Sequence, residues 1–225
     1  AEIVADVGDG WLDDGWVDYS LHRPVFVGDE IVIGAADGVI EATTSNGLVL
    51  SGTYGRGEAL FAADLDPPSV AAGEEPPEVR PQPTLDDIPV GRPLRPLEVR
   101  VSSDAAGRLA TDDLGVPLDG WSRRIHPYFL AARMAPLTRH NFTYGPTIHV
   151  RSQIQHVGPA VYPTDGSDQF LTVGARIVDA YERKAHWYQV LDGVVSMAAV
   201  RGATEAARVV ARIRHHTIFS PRGTR

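Results

Sequence analysis

The chain contains no cysteine, one lysine and no long apolar run. Without cysteine there is no disulfide, no thiolate nucleophile and no Cys-ligated zinc or iron–sulfur centre. Lys184 is the single lysine among 21 Lys and Arg residues. With the abundance of Ala, Gly and Val, that bias reads as the codon usage of a GC-rich genome rather than as a functional patch. The formal net charge of −8 argues against a sequence-independent nucleic-acid binder, which needs a basic surface to displace counterions. No stretch approaches the ~20 apolar residues of a membrane span, and no signal-peptide pattern opens the chain. No membrane partner is expected, and the cytoplasm is the expected location. The 225 residues, 43% of them hydrophobic, suffice for one large domain or two small ones.

More than half of the 17 prolines fall between Asp66 and Pro96, where the periodic apolar pattern fades. Such density favours extended, semi-rigid chain, so residues 67–96 read as a linker between an N-terminal part (1–66) and a C-terminal part (97–225). The C-terminal part is dominated by alternation, the mark of half-buried antiparallel strands. In Ala207–Phe219, Val209, Ala211, Ile213, His215 and Thr217 share one face. Phe170–Tyr181 and His186–Ala198 flank the charged turn Glu182-Arg183-Lys184 as a long hairpin, and Thr147–Val157 and Leu97–Ser103 add two more strands. One helix interrupts them, from Pro127 to Phe142, with Pro127 in the first turn, Pro136 as a kink and Gly145-Pro146 as the stop. The N-terminal part shortens the same vocabulary. Val17–Val27, Ile31–Ala42, Gly47–Tyr54 and Glu58–Leu65 are strand-like, while Ala1–Val7 is all there is of a helix.

This order of elements resembles the hotdog fold, an antiparallel sheet curled around a helix. More specifically it resembles the double-hotdog members of the MaoC-like dehydratase and (R)-specific enoyl-CoA hydratase superfamily. The residues that carry the resemblance are Arg23-Pro-Val-Phe-Val-Gly-Asp29, Gly145-Pro-Thr-Ile-His-Val-Arg-Ser152, Ala175–Lys184 and Ile213-Arg-His-His-Thr-Ile218. It implies an α+β double hotdog whose first helix is largely missing from this sequence. It also implies an acyl-CoA or other acyl thioester as ligand, a homodimer as one assembly, and no cofactor.

Family hydratases place an Asp and, five residues on, a His at the start of the central helix. The carboxylate orients water and the imidazole exchanges a proton at the α-carbon, while helix-terminal N–H groups polarise the thioester carbonyl. His126 stands at the corresponding place, but Trp121 occupies the position five before it. Asp119, seven before, is the nearest acid and the candidate partner; Leu118-Asp119-Gly120 reads equally as an ordinary turn. Trp121, Tyr128, Tyr144 and Gly145 are candidate substrate-binding residues, with Phe129 and Phe142 beside them, although aromatics around a central helix are more often core.

Other features read more plainly as structure. His215 lies on the apolar face of its strand and reads as a satisfied core histidine. His149 and His156, seven apart on a strand, are expected on opposite faces, and no zinc site is found. Gly52-Thr-Tyr-Gly-Arg-Gly57 is followed by strand-like residues, hence a hairpin turn rather than a phosphate loop. Three functions follow: a hydratase/dehydratase with an altered signature, a non-catalytic acyl-thioester-binding or assembly hotdog, and a hotdog thioesterase. The third needs an acid on the helix, and none lies between Pro127 and Tyr144. The short helix at Ala1–Val7 further leads us to expect additional N-terminal residues in the natural protein, or another element covering the first sheet.

Overall fold

The computed structural model describes residues 2–57, 78–102, 124–163, 167–198 and 207–220. Nine strands form one continuous antiparallel sheet in the order β2-β3-β4-β1-β6-β9-β8-β7-β5. The first half supplies β1 (Gly15–Leu21), β2 (Val32–Ala36), β3 (Val39–Thr44) and β4 (Gly47–Arg56). The second supplies β5 (Leu97–Val101), β6 (Ile148–His156), β7 (Gln169–Arg183), β8 (His186–Ala198) and β9 (Arg208–Ser220). The halves join where β1 pairs antiparallel with β6, Tyr19 opposite Ser152 and Val17 opposite Ile154.

Alternation decides which face packs. Leu171, Val173, Ala175 and Ile177 of β7, Leu191 and Val195 of β8, and Ala211 and Ile213 of β9 point to one side and are buried. Two short helices lie in that core, α3 (Pro127–Ala131) and α4 (Met134–Asn141), with Leu130, Met134 and Leu137 fully buried. The single helix expected over residues 127–142 is therefore two, separated by a turn at Ala132–Arg133. Pro136 explains the break: it has no N–H for the carbonyl of Ala132, and its ring crowds that carbonyl. The interruption thus falls one turn before the proline that causes it.

Three expectations for the first half change. Ile31–Ala42 is not one strand but the β2–β3 hairpin, turned at Asp37-Gly38, where φ is +52° and +77°. Two successive positive φ values make a type I′ turn, which Asp-Gly favours. Val17–Val27 stops as a strand at Leu21; the Phe26 N–H then donates to the Asp29 carboxylate at 2.8 Å, closing a turn. Two helices precede β1, α1 (Glu2–Val7) and α2 (Trp11–Asp14), and Ile3, Val4 and Val7 pack on the core. Glu58–Leu65 lies outside the described residues.

The described part of the proline-rich segment, 78–96, is docked rather than free. Ile88 and Leu94 are buried, and the N–H groups of Gly91 and Leu94 donate to Ile177 and Ala175 on the rim of β7, both at 2.7 Å. Proline leaves few backbone donors, and these two are spent on the sheet. Among the described residues no helix is long and apolar enough to cross a membrane.

Candidate functional site

His126 immediately precedes α3. Its position is held from both sides: Arg124 bridges to Val161, and the buried Ile125 donates its N–H to the Ala160 carbonyl at 2.8 Å. The His126 carbonyl accepts the Phe129 N–H at 2.9 Å and so opens the first helical turn. The ring is half-buried, and burial pushes the imidazole below its ordinary range, so it is neutral near pH 7. Tyr128 lies within α3. Asp119 and Trp121 lie outside the described residues. Pro127 contributes no N–H, which removes one of the helix-terminal donors an oxyanion would use.

Beneath this helix start the two halves meet through a charged pair. Arg124 donates to both carboxylate oxygens of Asp13 in α2, at 2.5 and 3.3 Å. Beside the pair, Leu12, Leu130, Ala160 and His156 enclose a cavity of about 10 Å³. His156 is 2% exposed, neither ring nitrogen has a hydrogen-bond partner, and the ring stands edge-on to Trp11 at 4.8 Å. Burial pulls its pKa down to about 4, against a smaller opposing pull from Asp13.

Tyr144 and Gly145 follow the other end of the helix pair. Tyr144 donates its hydroxyl to Gln189 Oε1 at 2.8 Å, and Gln189 donates in turn to Thr217 Oγ1 at 3.1 Å. Its ring packs against Phe142 and Phe219, and burial raises the phenol above its usual value. Gly145 is exposed in the connection to β6.

A polar cluster that the sequence pattern did not reveal lies on the seam between the halves. Tyr19 (β1), Ser152 (β6) and His215 (β9) sit in one cross-strand row. Ser152 Oγ is 2.8 Å from His215 Nδ1 and 2.9 Å from His149 Nε2, and it also bonds the Tyr19 hydroxyl. A hydroxyl carries one proton, so at least one imidazole donates to it. The rings of His149 and His215 lie 4.3 Å apart.

Two expectations are corrected here. A register shift between His149 and Arg151 inserts an extra residue, turning His149 onto the Ser152 face, the face of His156 as well. His215 is only half satisfied, because its Nε2 is buried without a partner; burial, with His149 and His216 nearby, holds its pKa down at about 3. The periodicity of Thr147–Val157 could have flagged Ser152, but a bulge leaves no compositional trace. Among the described residues no three His, Asp or Glu side chains are grouped to hold a metal ion.

No protein-family model and no curated protein matches the sequence. Solved structures do. A conserved hypothetical protein of Mycobacterium tuberculosis, described as having a double hotdog fold, superposes with a TM-score of 0.55 at 12% identity, over 92% of this chain and 74% of that one. A MaoC-like dehydratase gives 0.52 at 14% identity, over 97% and 79%. A protein of Chloroflexus aurantiacus named as a MaoC-domain dehydratase gives 0.52 at 11%, over 94% and 76%. Likeness at such identities concerns the fold, and the fold is a double hotdog.

Proposed function

We propose that this chain is a cytoplasmic acyl-thioester hydratase/dehydratase of the MaoC-like kind, acting on an acyl-CoA or a similarly carried acyl group. The observation that carries the reading is the placement of His126, half-buried and neutral at the start of the helix pair that the sheet encloses. In dehydration the neutral imidazole takes the α-proton while a protonated Asp119 gives its proton to the β-hydroxyl, whose C–O bond breaks and which leaves as water. In hydration the Asp119 carboxylate takes a proton from water as its oxygen bonds the β-carbon, and the imidazolium returns its proton to the α-carbon. Asp119 is the carboxylate assigned to the water, and the reaction transfers no electrons, so it calls for no redox carrier.

A second reading, a non-catalytic acyl-thioester-binding hotdog, has its own support. Asp13, a carboxylate beside the helix start, is occupied by Arg124, and residues 127–141 contain no acid. That second fact also weighs against a thioesterase, which needs a carboxylate to activate water at the carbonyl.

Loss of enoyl-thioester absorbance with a trans-2-enoyl-CoA separates the readings. Hydration without release of free CoA is the expected result. His126→Ala should then lower turnover by about 10²–10⁴-fold, the usual worth of a positioned acid–base group, with the melting temperature little changed. Full activity in that variant removes His126 from the mechanism. Binding without turnover in the unmodified protein favours the second reading.

A further inference from the structure

A buried polar group with nothing to bond is a cost that packing does not explain. Among the described residues, His156 is the one ring with both nitrogens buried and unpartnered. It ends β6, opposite the small Ala211 of β9, and its company is apolar: Trp11 stands edge-on to it, with Leu12 and Leu130 close by. A leucine would suit that company better.

The adjoining cavity of about 10 Å³ gives the ring something to address. Ile125 and Pro127, the residues on either side of His126, line it together with His156. It therefore lies beside the residue assigned as the base. The space admits about one oxygen atom and no chain of carbons. Burial keeps the ring neutral at pH 7, so one nitrogen carries a proton to donate, and a hydrogen-bond acceptor is what fits. Arg124 also lines the cavity, but it is engaged with both carboxylate oxygens of Asp13.

We propose that His156 is the oxyanion donor of the site: its ring N–H bonds the thioester carbonyl oxygen, which enters the cavity while the α-carbon stands at His126. The inference rests on the hydratase/dehydratase reading and adds a catalytic residue to it. When His126 takes the α-proton, the C–H electron pair moves toward the carbonyl, and its oxygen gains charge as an enolate forms. The pair returns to make the new C=C bond as the β C–O bond breaks. The carbonyl carbon is bonded to the α-carbon, so the donor that meets this charge must lie beside the base. The start of α3 is poorly equipped for that: Pro127 has no N–H, and the Phe129 N–H is taken by the His126 carbonyl. A neutral imidazole suits the role, since it polarises a carbonyl without placing a charge in the core. The hydrogen bond that the ring lacks in the free protein is then supplied by the substrate.

Difference infrared spectroscopy with a saturated acyl-CoA, isotope-labelled at its thioester carbonyl, reads this hydrogen bond directly and needs binding but no turnover. In the unmodified protein the carbonyl band should lie below that of the free thioester. His156→Leu, which keeps the volume, should return it to the free position with unchanged circular dichroism. His126→Ala should leave the lowered band in place. With a trans-2-enoyl-CoA, His156→Leu should lower kcat by about 10²–10³-fold, the usual worth of one oxyanion donor, and change KM little. An unshifted band in the unmodified protein overturns the proposal. So does a shift that survives His156→Leu, which would leave the cavity to a resident water, and so does an undiminished kcat in that variant. An unmodified protein that hydrates nothing would sink the hydratase reading alone; a lowered band that His156→Leu abolishes would still uphold the hydrogen bond.

Discussion

An imidazole buried without partners gives up the hydrogen bonds it makes to water in the unfolded chain, a cost of about 1–3 kcal/mol. His156 is placed that way: almost fully buried, both nitrogens unpaired, its ring against Trp11. Leucine fills nearly the same volume with no polar atom to strand. His156→Leu should therefore raise stability by about 1 kcal/mol, offset in part by the lost ring contact, and a urea titration of both proteins measures it. The adjoining cavity, about 10 Å³, is at the lower limit for one water. Destabilisation by His156→Leu would mean that a water there bonds the ring and that the histidine is satisfied after all. The strand reading of Thr147–Val157 located β6, but not this burial. What covers His156 is Trp11, from the opposite half of the chain, and alternation along β6 carries no information about a contact that distant.

Elements were legible where one face is apolar over many residues. The β7–β8 hairpin and β9 follow their alternation closely, because a register slip of one residue would expose the whole core face. The β2–β3 hairpin was hidden for the opposite reason: apolar residues run on both sides of Asp37-Gly38, so the turn interrupts no pattern. The helix pair shows a third case, where apolar composition fits one helix and only the geometry of Pro136 divides it. How closely this pair approaches the sheet depends on Gly193. A Cβ there would lie 2.8 Å from Met134 Sδ and 3.2 Å from the Gly174 carbonyl oxygen, and Met134 is fully buried. Gly193→Ala should thus cost about 1–3 kcal/mol by overpacking. Pairing it with Met134→Ala should cost less than the sum of the single changes, since each relieves the other. Strict additivity in that double-mutant cycle would show that the helix does not rest on Gly193. His126 was legible as the residue opening a helix; the seam cluster was not, because its members come from three strands far apart in sequence.

At the scale of the molecule, the seam and the helix start hold neutral histidines where unfolded chain would let them charge. His215 is surrounded by Ser152 and His149 on β6 and Tyr19 on β1. On the other face of the same strands His216 lies among Arg151, Arg214, Asp18 and Asp192. There Asp18 accepts two hydrogen bonds from Arg151 and one from Gln153, and Asp192 accepts two from Arg214. Folding lowers the pKa of His215 to about 3 and of His156 to about 4, mainly by burial, and pushes His126, His149 and His216 in the same direction. Below the unfolded value of about 6.5 the unfolded chain therefore binds protons that the folded chain refuses. The linkage has one sign: stability is fully present above about pH 6.5 and is lost progressively as pH falls toward the folded values. Each pKa unit is worth about 1.4 kcal/mol, so the two most buried rings alone make the loss a matter of several kcal/mol. Carboxylates ordinarily titrate at about 4, below the interval from pH 7 to 5, so it is the one in which histidines dominate. Thermal unfolding across that interval should give a melting temperature that falls steadily with pH, and His215→Gln should flatten the slope. A melting temperature constant from pH 7 to 5 would mean that these rings reach water or a partner in the folded protein.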